Sequence, residues 1–577
     1  MKILLASILV FPLLAQAQKP QAATSAEPAK SAPEEGIPVT NQLVITKCGG
    51  CHTKDEKGNM LRISWERATP EGWEEAIKRM VRLRGVSLAP DEARSILKYL
   101  ATYHGLAPDE AKPIMYYAEH RIQDETNIPN DSVKGACANC HPMARPLSWR
   151  RSADDWKYLA NLHIALYPQA DEAFRLGINA GGFDEGQHHL EPGAPLPVDD
   201  ALAYLSKTAA LKTPEWAAWR ARMRAPKLTG RWVVSAYIPG RGKFYGDMQV
   251  EAASGTDDEF TTKVKLTSVK DGSVISRTGH SVVYAGYSWR GRSKGTPAAK
   301  ATPDDLGSEM REVMWVSPDQ STAVGRWFWG EYQEFGFDIT MQRASADPTL
   351  IGVDRSLLKA GSTGTRVRLI AESLPAQIDA TDLDFGTGVT VKRVVSHTPT
   401  EIVAEVDVAA DAVPGKRDIA FKRSVLQSSI AVYDRIDYVK VTPDSALAHL
   451  GSEKHPKGFQ QFEAVAYQRG ADGKLHTADD VELGPIDANW TVEEFYSSYG
   501  DDDKEFVGSL SNTGLFSPAS DGPNPQRKFS RNNYGDVWVV ATAKNEKDKD
   551  GKPLVGKSYL VVTVPTYIKW DQPEVGQ

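Results

Sequence analysis

Cys48-Gly49-Gly50-Cys51-His52 and Cys137-Ala138-Asn139-Cys140-His141 are two copies of one pentapeptide, Cys-x-x-Cys-His. The pattern is the attachment signature of a c-type haem. Two intervening residues let a single turn of chain span the porphyrin edge, so both thiols reach vinyl groups. The next residue then brings an imidazole under the iron as proximal ligand. Together the copies use all 4 cysteines of the 577-residue chain. Cys48, Cys51, Cys137 and Cys140 are therefore expected to hold two covalent haems c, with His52 and His141 as axial ligands. A structural zinc site made from two Cys-x-x-Cys pairs is the main competitor. It leaves the histidine after each pair unexplained, and the pairs stand 137 − 48 = 89 residues apart. A thioredoxin-like motif belongs at a strand-to-helix junction in a βαβ pattern, which is not seen here, and a disulfide across two residues is usually a catalytic device.

The segments that follow the two motifs resemble each other. After the first come Arg62, Ser64, Trp65, Arg67, Trp73 and Met80; after the second come Arg145, Ser148, Trp149, Arg151, Trp156 and His163. The last interval agrees, 80 − 73 = 7 and 163 − 156 = 7, whereas the Trp-to-Trp intervals differ by one, 73 − 65 = 8 against 156 − 149 = 7. Seven residues is nearly two helical turns, so each Trp shares a face with the residue seven on. Each copy ends in a similar helical run, Ile96-Leu97-Lys98-Tyr99-Leu100 and Ala201-Leu202-Ala203-Tyr204-Leu205, as a cytochrome c fold closes. The expected ligand pairs are His52 with Met80 and His141 with His163. Thioether ligation gives the first site the higher potential. Rival ligands are Met60 and His104 for the first haem, and Met143, His188 and His189 for the second. Met80 and His163 also have plain readings, as a core methionine and a core histidine bonded to backbone.

Further out, Met1-Lys2, the apolar run Ile3 to Leu14 and Ala15-Gln16-Ala17 read as a cleaved secretory signal over residues 1–17. That places the mature chain in the periplasm. Residues 18–38 are a low-complexity linker rich in Ala, Pro, Ser, Lys and Glu, expected to be disordered. The formal charge of −7 argues against a nucleic-acid partner, and no later stretch reaches transmembrane length.

Residues 39–225 read helical. Pro90 opens one helix, Ile96, Leu97 and Leu100 line it, and Gly105 follows it. Beyond Thr229 short β-rich runs alternate with turn residues, as in Arg231 to Tyr237, Ile402 to Val408 and Val537 to Thr542. The fold class is multidomain, mainly α and then all-β. It comprises a dihaem cytochrome c domain (39–225), a β-barrel (226–345) and two immunoglobulin-like β-sandwiches (346–441 and 442–577). Ala346-Asp347-Pro348 and Pro443-Asp444 look like the joints.

Other clusters have plain readings. Asp472-Gly473-Lys474 is a hairpin turn rather than a calcium loop. Asp501-Asp502-Asp503 is a solvated loop, and Arg326-Trp327-Phe328-Trp329 is barrel core. Arg62 and Arg145 either reach haem propionates or serve the surface. There is no Ser-His-Asp pattern, phosphate loop or dinucleotide fingerprint.

The order of signal, two unequal haem segments and three β regions, with the Trp-x6-Met and Trp-x6-His pair, resembles the alpha subunit of quinohaemoprotein amine dehydrogenase over essentially the whole mature chain. The resemblance implies a periplasmic heterotrimer that oxidises primary amines to aldehyde and ammonia. It also implies cysteine tryptophylquinone in a small gamma subunit, a propeller-type beta subunit, and a blue-copper protein or cytochrome c as soluble acceptor. With every cysteine committed to haem, this chain carries no crosslinked quinone of its own and no catalytic residue. The lower-potential bis-histidine haem is expected nearest the quinone. A dihaem peroxidase and a stand-alone electron carrier with β docking domains are the alternatives.

Overall fold

Helix boundaries in the N-terminal third follow local capping chemistry. The main helices are α1 (Gln42–Cys48), α2 (Pro70–Arg84), α3 (Pro90–Tyr103), α4 (Ala153–Leu166), α5 (Pro168–Leu176), α6 (Pro197–Thr208) and α7 (Pro214–Arg222). Proline opens α2, α3, α6 and α7, where its missing N–H costs nothing. Side-chain oxygens of Thr69, Ser152 and Thr213 cap α2, α4 and α7 by accepting the N–H of Gly72, Asp155 and Trp216. This computed structural model describes residues 34–115, 128, 131–138, 140–176, 195–330, 333–453, 455–495, 501–548 and 550–565. The signal and most of the linker lie outside them. All elements named here belong to the unit Ile37–Gln577.

Two three-residue strands join the haem-motif segments. β1 (Glu66–Ala68) pairs antiparallel with β2 (Trp149–Arg151), Arg67 opposite Arg150. The pairing is symmetric, for Thr69 N–H donates to the Ser148 carbonyl and Ser152 N–H to the Trp65 carbonyl, both at 3.2 Å. A local two-fold axis therefore passes between Arg67 and Arg150. It equates positions at one constant offset: 150 − 67 = 83, 152 − 69 = 83, 156 − 73 = 83 and 163 − 80 = 83. Trp65 is thus equivalent to Ser148, not to Trp149, and the one-residue mismatch in the Trp intervals disappears.

The two arginines on the axis share one carboxylate. Glu110 accepts from Arg67 Nη1 and Nη2 at 2.7 and 2.9 Å, from Arg150 Nε at 3.3 Å, from Ala107 N–H at 2.8 Å and from Thr213 Oγ1 at 2.7 Å. Arg67 also donates to the carbonyls of Leu211 and Gly105. Its side chain is 0% exposed.

Eight strands follow: β3 (Gly230–Ile238), β4 (Gly242–Ala252), β5 (Glu259–Ser268), β6 (Val274–Tyr284), β7 (Ser288–Lys294), β8 (Met310–Val316), β9 (Thr322–Phe328) and β10 (Gly336–Arg343). They close into an antiparallel barrel, with β10 paired to both β9 and β3. Large residues fill it, among them Trp232, Phe244, Met248, Phe260, Trp289, Met314 and Trp327. The Arg326–Trp329 run supplies barrel core as expected, Trp327 and Phe328 being buried. The barrel grips the helical region through Arg290 to Glu71, through Lys98 to Asp258 and Glu259 at 2.6 and 3.1 Å, and through Tyr287 Oη to the Leu106 carbonyl at 3.1 Å.

Beyond the barrel, two four-stranded sheets share one core that includes Val367, Leu369, Phe385, Ile402, Val406 and Phe421. Three further sheets surround Phe462, Phe516, Val537, Val539 and Leu560. The strands expected at 402–408 and 537–542 form. Asp472-Gly473-Lys474 lies in the turn between Glu463–Gln468 and Val481–Pro485, with Lys474 N–H on Asp472 Oδ1. Among the described residues no helix is long and apolar enough to cross a membrane.

Burial opposes ionisation of Glu110, but the hydrogen bonds and charge of Arg67, with Arg150 behind, hold its carboxyl at about 2. Its stabilising contribution is fully present above the usual carboxylate range and is lost as pH falls toward about 2. Glu110→Gln strands two buried guanidinium groups and should cost about 3–5 kcal/mol. Chemical denaturation at pH 7 measures this, and at pH 2 the gap between variant and wild type should narrow.

Candidate haem-binding sites

The first motif begins where α1 ends. Cys48 closes that helix half-buried, and Cys51 is exposed on the turn that follows. The chain stays wound there, with Cys51 and His52 N–H both donating to the Cys48 carbonyl, at 3.2 and 2.9 Å. His52 Nδ1 lies 2.8 Å from the Leu61 carbonyl. A carbonyl only accepts, so Nδ1 carries the proton and the Nε2 lone pair is left for a metal.

In the second motif one cysteine is again half-buried and the other exposed. Cys137 is half-buried in the helical segment Lys134–Ala138, and Cys140 is exposed. His141 Nδ1 faces the Pro142 carbonyl at 3.1 Å. Burial draws His141 down to about 4, which keeps the imidazole neutral and able to ligate. Burial pushes the Cys137 thiol up to about 12 and raises Cys48 and Cys140 as well.

The residues expected on the distal side lie on α2 and α4. Trp73 Nε1 donates to the His104 carbonyl at 2.8 Å, and Trp156 Nε1 donates to the Ala209 carbonyl at 3.1 Å. His104 and Ala209 are the C-caps of α3 and α6. The same two carbonyls also accept the N–H of Ala68 and Arg151, so each tryptophan ties its helix, strand and closing helix together. Seven residues on, His163 turns Nδ1 to the Leu159 carbonyl at 2.9 Å, which leaves Nε2 free. Its ring faces that of His141, with centroids 6.5 Å apart. An imidazole nitrogen sits about 2 Å from a first-row metal, so two trans rings have centres roughly 6 Å apart. Tyr167 and Phe174 flank His163, each at 6.1 Å. The donor set fits a bis-histidine haem.

Met80 occupies the equivalent place on α2 and is half-buried. Its match to His52 rests on the equivalence of the two copies. Met60, Met143 and His104 are buried in the helical core. His104 meets Trp73 edge-on at 6.3 Å. His188 and His189 lie outside the described residues.

The structure adds to one reading and corrects another. Arg62 and Arg145, equivalent at the same offset, each cross the axis to the other copy's helix. Arg62 pairs with Asp155 at 3.3 Å and lies over the Tyr158 ring at 4.1 Å. Arg145 holds both oxygens of Glu75, at 2.5 and 2.6 Å. Both arginines thus hold protein groups of the opposite copy. Asp501-Asp502-Asp503 is not simply solvated, since Arg527 and Arg531 converge on it. Sequence reasoning also missed Glu110. The one available signal was that Arg67 and Arg150 share the 83-residue offset of Trp73 and Trp156.

These features define a multidomain β protein with a haem-binding helical domain at its N-terminal end. Four family models match the chain. They are the haem-binding domain of quinohemoprotein amine dehydrogenase A, alpha subunit (residues 39–192), and alpha subunit domains II (225–344), III (347–434) and IV (439–575) of the same dehydrogenase. The chain belongs to the quinohemoprotein amine dehydrogenase alpha subunit family. No curated protein matches it. Among solved structures, the redesigned β-barrel mFAP1 bound to DFHBI is 16% identical, with 20% of this chain and 94% of that chain covered and a TM-score of 0.16. Human protocadherin-24 EC1-2 is 13% identical, covering 39% of this chain and 98% of that one at a TM-score of 0.14. Neither bears on function.

Asp155 offers a test of the charges around the axis. Burial, and behind it the Glu66 carboxylate, push its carboxyl up to about 6 against Ser152, Arg62 and Arg151. A raised carboxyl destabilises the fold above that pH, and the penalty disappears as pH falls toward the unfolded value. Asp155→Asn should therefore raise the denaturant midpoint relative to wild type at pH 7.5 and lose that advantage by about pH 4. Comparing the two proteins isolates this carboxyl from the buried histidines, which titrate in the opposite sense.

Proposed function

We propose that this chain is the dihaem c electron-transfer subunit of a periplasmic amine dehydrogenase. It takes electrons from a cysteine tryptophylquinone in a partner gamma subunit, completes a heterotrimer with a propeller-type beta subunit, and passes electrons to a blue-copper protein or cytochrome c. The overall reaction is oxidation of a primary amine to aldehyde and ammonia. The observation that carries this reading is the two-fold relation between the segments that follow two Cys-x-x-Cys-His motifs, with the His141 and His163 rings 6.5 Å apart in one of them. The two regions after the barrel are read as immunoglobulin-like sandwiches, with the domain limits given from the sequence.

Haem c supplies reversible one-electron exchange when bound. The chain's own residues determine how. Cys48, Cys51, Cys137 and Cys140 provide the thioether attachment. Leu61, Pro142 and Leu159 carbonyls orient His52, His141 and His163 and fix their tautomers. Met80 supplies a softer ligand at the first site, which makes it the more oxidising of the two. The Trp73 and Trp156 anchors hold the distal helices against the shared strands, so the two sites keep one geometry.

Two measurements test the reading. The purified protein should contain two haems c per chain in a pyridine haemochrome assay, and Cys137→Ser with Cys140→Ser should leave one. His163→Met should raise the lower of two reduction potentials and leave the other in place. One haem in the wild type, or two unmoved potentials, sinks the ligand assignment. Copurification with a quinone-staining small subunit supports the dehydrogenase; a lone chain with an iron that binds peroxide points to the peroxidase.

A further inference from the structure

We propose that Phe529 is the anchor of a docking loop in the C-terminal β region, inserting into an apolar socket with an acidic rim on another subunit of the dehydrogenase. The proposal rests on the subunit reading above. The loop runs from Asn524 to Arg531, and its ends are tied by Asn524 N–H on the Arg531 carbonyl at 3.2 Å. The underside is Arg527, whose side chain is 0% exposed. Its guanidinium bonds Asp502 at 2.7 Å, Asp503, and the carbonyls of Asn532 and Tyr534 at 2.7 and 3.0 Å. Arg531 bonds Asp502 and Asp503, both at 2.8 Å. The base of the loop is therefore a fixed ionic platform.

That platform imposes a backbone the tip residues do not favour. Phe529 and Ser530 both have left-handed φ, +61° and +52°. Glycine or asparagine takes such a position at little cost, and a bulky side chain does not. Strain of this kind persists where the surroundings enforce it and gathers at functional sites. The result is a phenylalanine that is 92% exposed, more than any other exposed large hydrophobic residue described, Val413 being next at 73%.

A rigidly presented aromatic is the usual form of an interface hot spot. Lys528 is exposed beside it, with Nζ 5.3 Å from the ring centroid. That adds a positive charge next to the apolar anchor and calls for carboxylates around the socket. A second copy of this chain would have to offer such a socket elsewhere on its own surface, whereas the subunit reading supplies different subunits, and self-association is one outcome of the test.

The test uses the co-expressed complex. Wild type, Phe529→Ala and Phe529→Asp are compared by sedimentation velocity across a dilution series. Haem content and thermal midpoint serve as folding controls, because a side chain this exposed supports no core. Both variants should fold as wild type does and weaken assembly by about tenfold or more, Phe529→Asp the more severely. Equal affinity in all three overturns the docking role and leaves the subunit reading standing. A wild type that binds no other subunit overturns both. Loss of self-association alone, with heteromeric assembly intact, also overturns the proposal.

Discussion

Two arginines from opposite copies of a repeat share one buried carboxylate, and the helical region is organised around that contact. Arg67 and Arg150 face each other across the β1–β2 pair, where like charges would otherwise repel. Glu110 sits between them with five donors on its two oxygens. A buried charge is tolerated when it is paired and its remaining lone pairs are filled, and here they are. Because the strands lead straight into α2 and α4, the position of Glu110 sets how the two distal helices diverge from the axis. Met80 and His163 are carried on those two helices.

The barrel contributes stiffness to the same arrangement. Its interior is packed with tryptophan, phenylalanine and methionine. Its rim reaches α2 through Glu71 and α3 through Lys98, the helices that carry Trp73 and close the first copy. A filled barrel clamped at two points on one copy braces that side of the axis. The second copy is held mainly through the axis itself, by β2, Arg150 and the cross-axis pairs of Arg62 and Arg145.

The sequence was most legible where information is local. Two pentapeptides pointed to haem within the region that the haem-binding family model matches, and short β-rich runs at 231–237, 402–408 and 537–542, set off by turn residues, found strands that form. Charged residues were read poorly because their partners are far away in the chain. Arg145 finds Glu75 across 70 residues, and Asp502 finds Arg527 across 25. A run of three aspartates looks solvated until the fold brings two arginines onto it. The register of the repeat failed for a related reason. Trp65 and Trp149 match by residue type, whereas the backbone equates Trp65 with Ser148 through their hydrogen bonds to Ser152 and Thr69. Side-chain identity is a weak guide to equivalence when a strand is only three residues long.

That corrected register separates what the two copies share from what they do not. At the 83-residue offset the cap (Thr69, Ser152), the tryptophan (Trp73, Trp156), the axis arginine (Arg67, Arg150) and the crossing arginine (Arg62, Arg145) keep their type or their role. These groups hold the backbone, and altering one side alone would break contacts on the other. Among the positions that differ are Trp65 against Ser148, Met80 against His163, and Glu75 against Tyr158, these last two side chains each being met by a crossing arginine. A two-fold frame would make two equal haem sites if the copies stayed identical. On the proposed ligand assignment, the difference between Met80 and His163 falls on the helices and not on the bonds of Arg67, Arg150 and Glu110, and unequal ligands would set unequal potentials at the two sites.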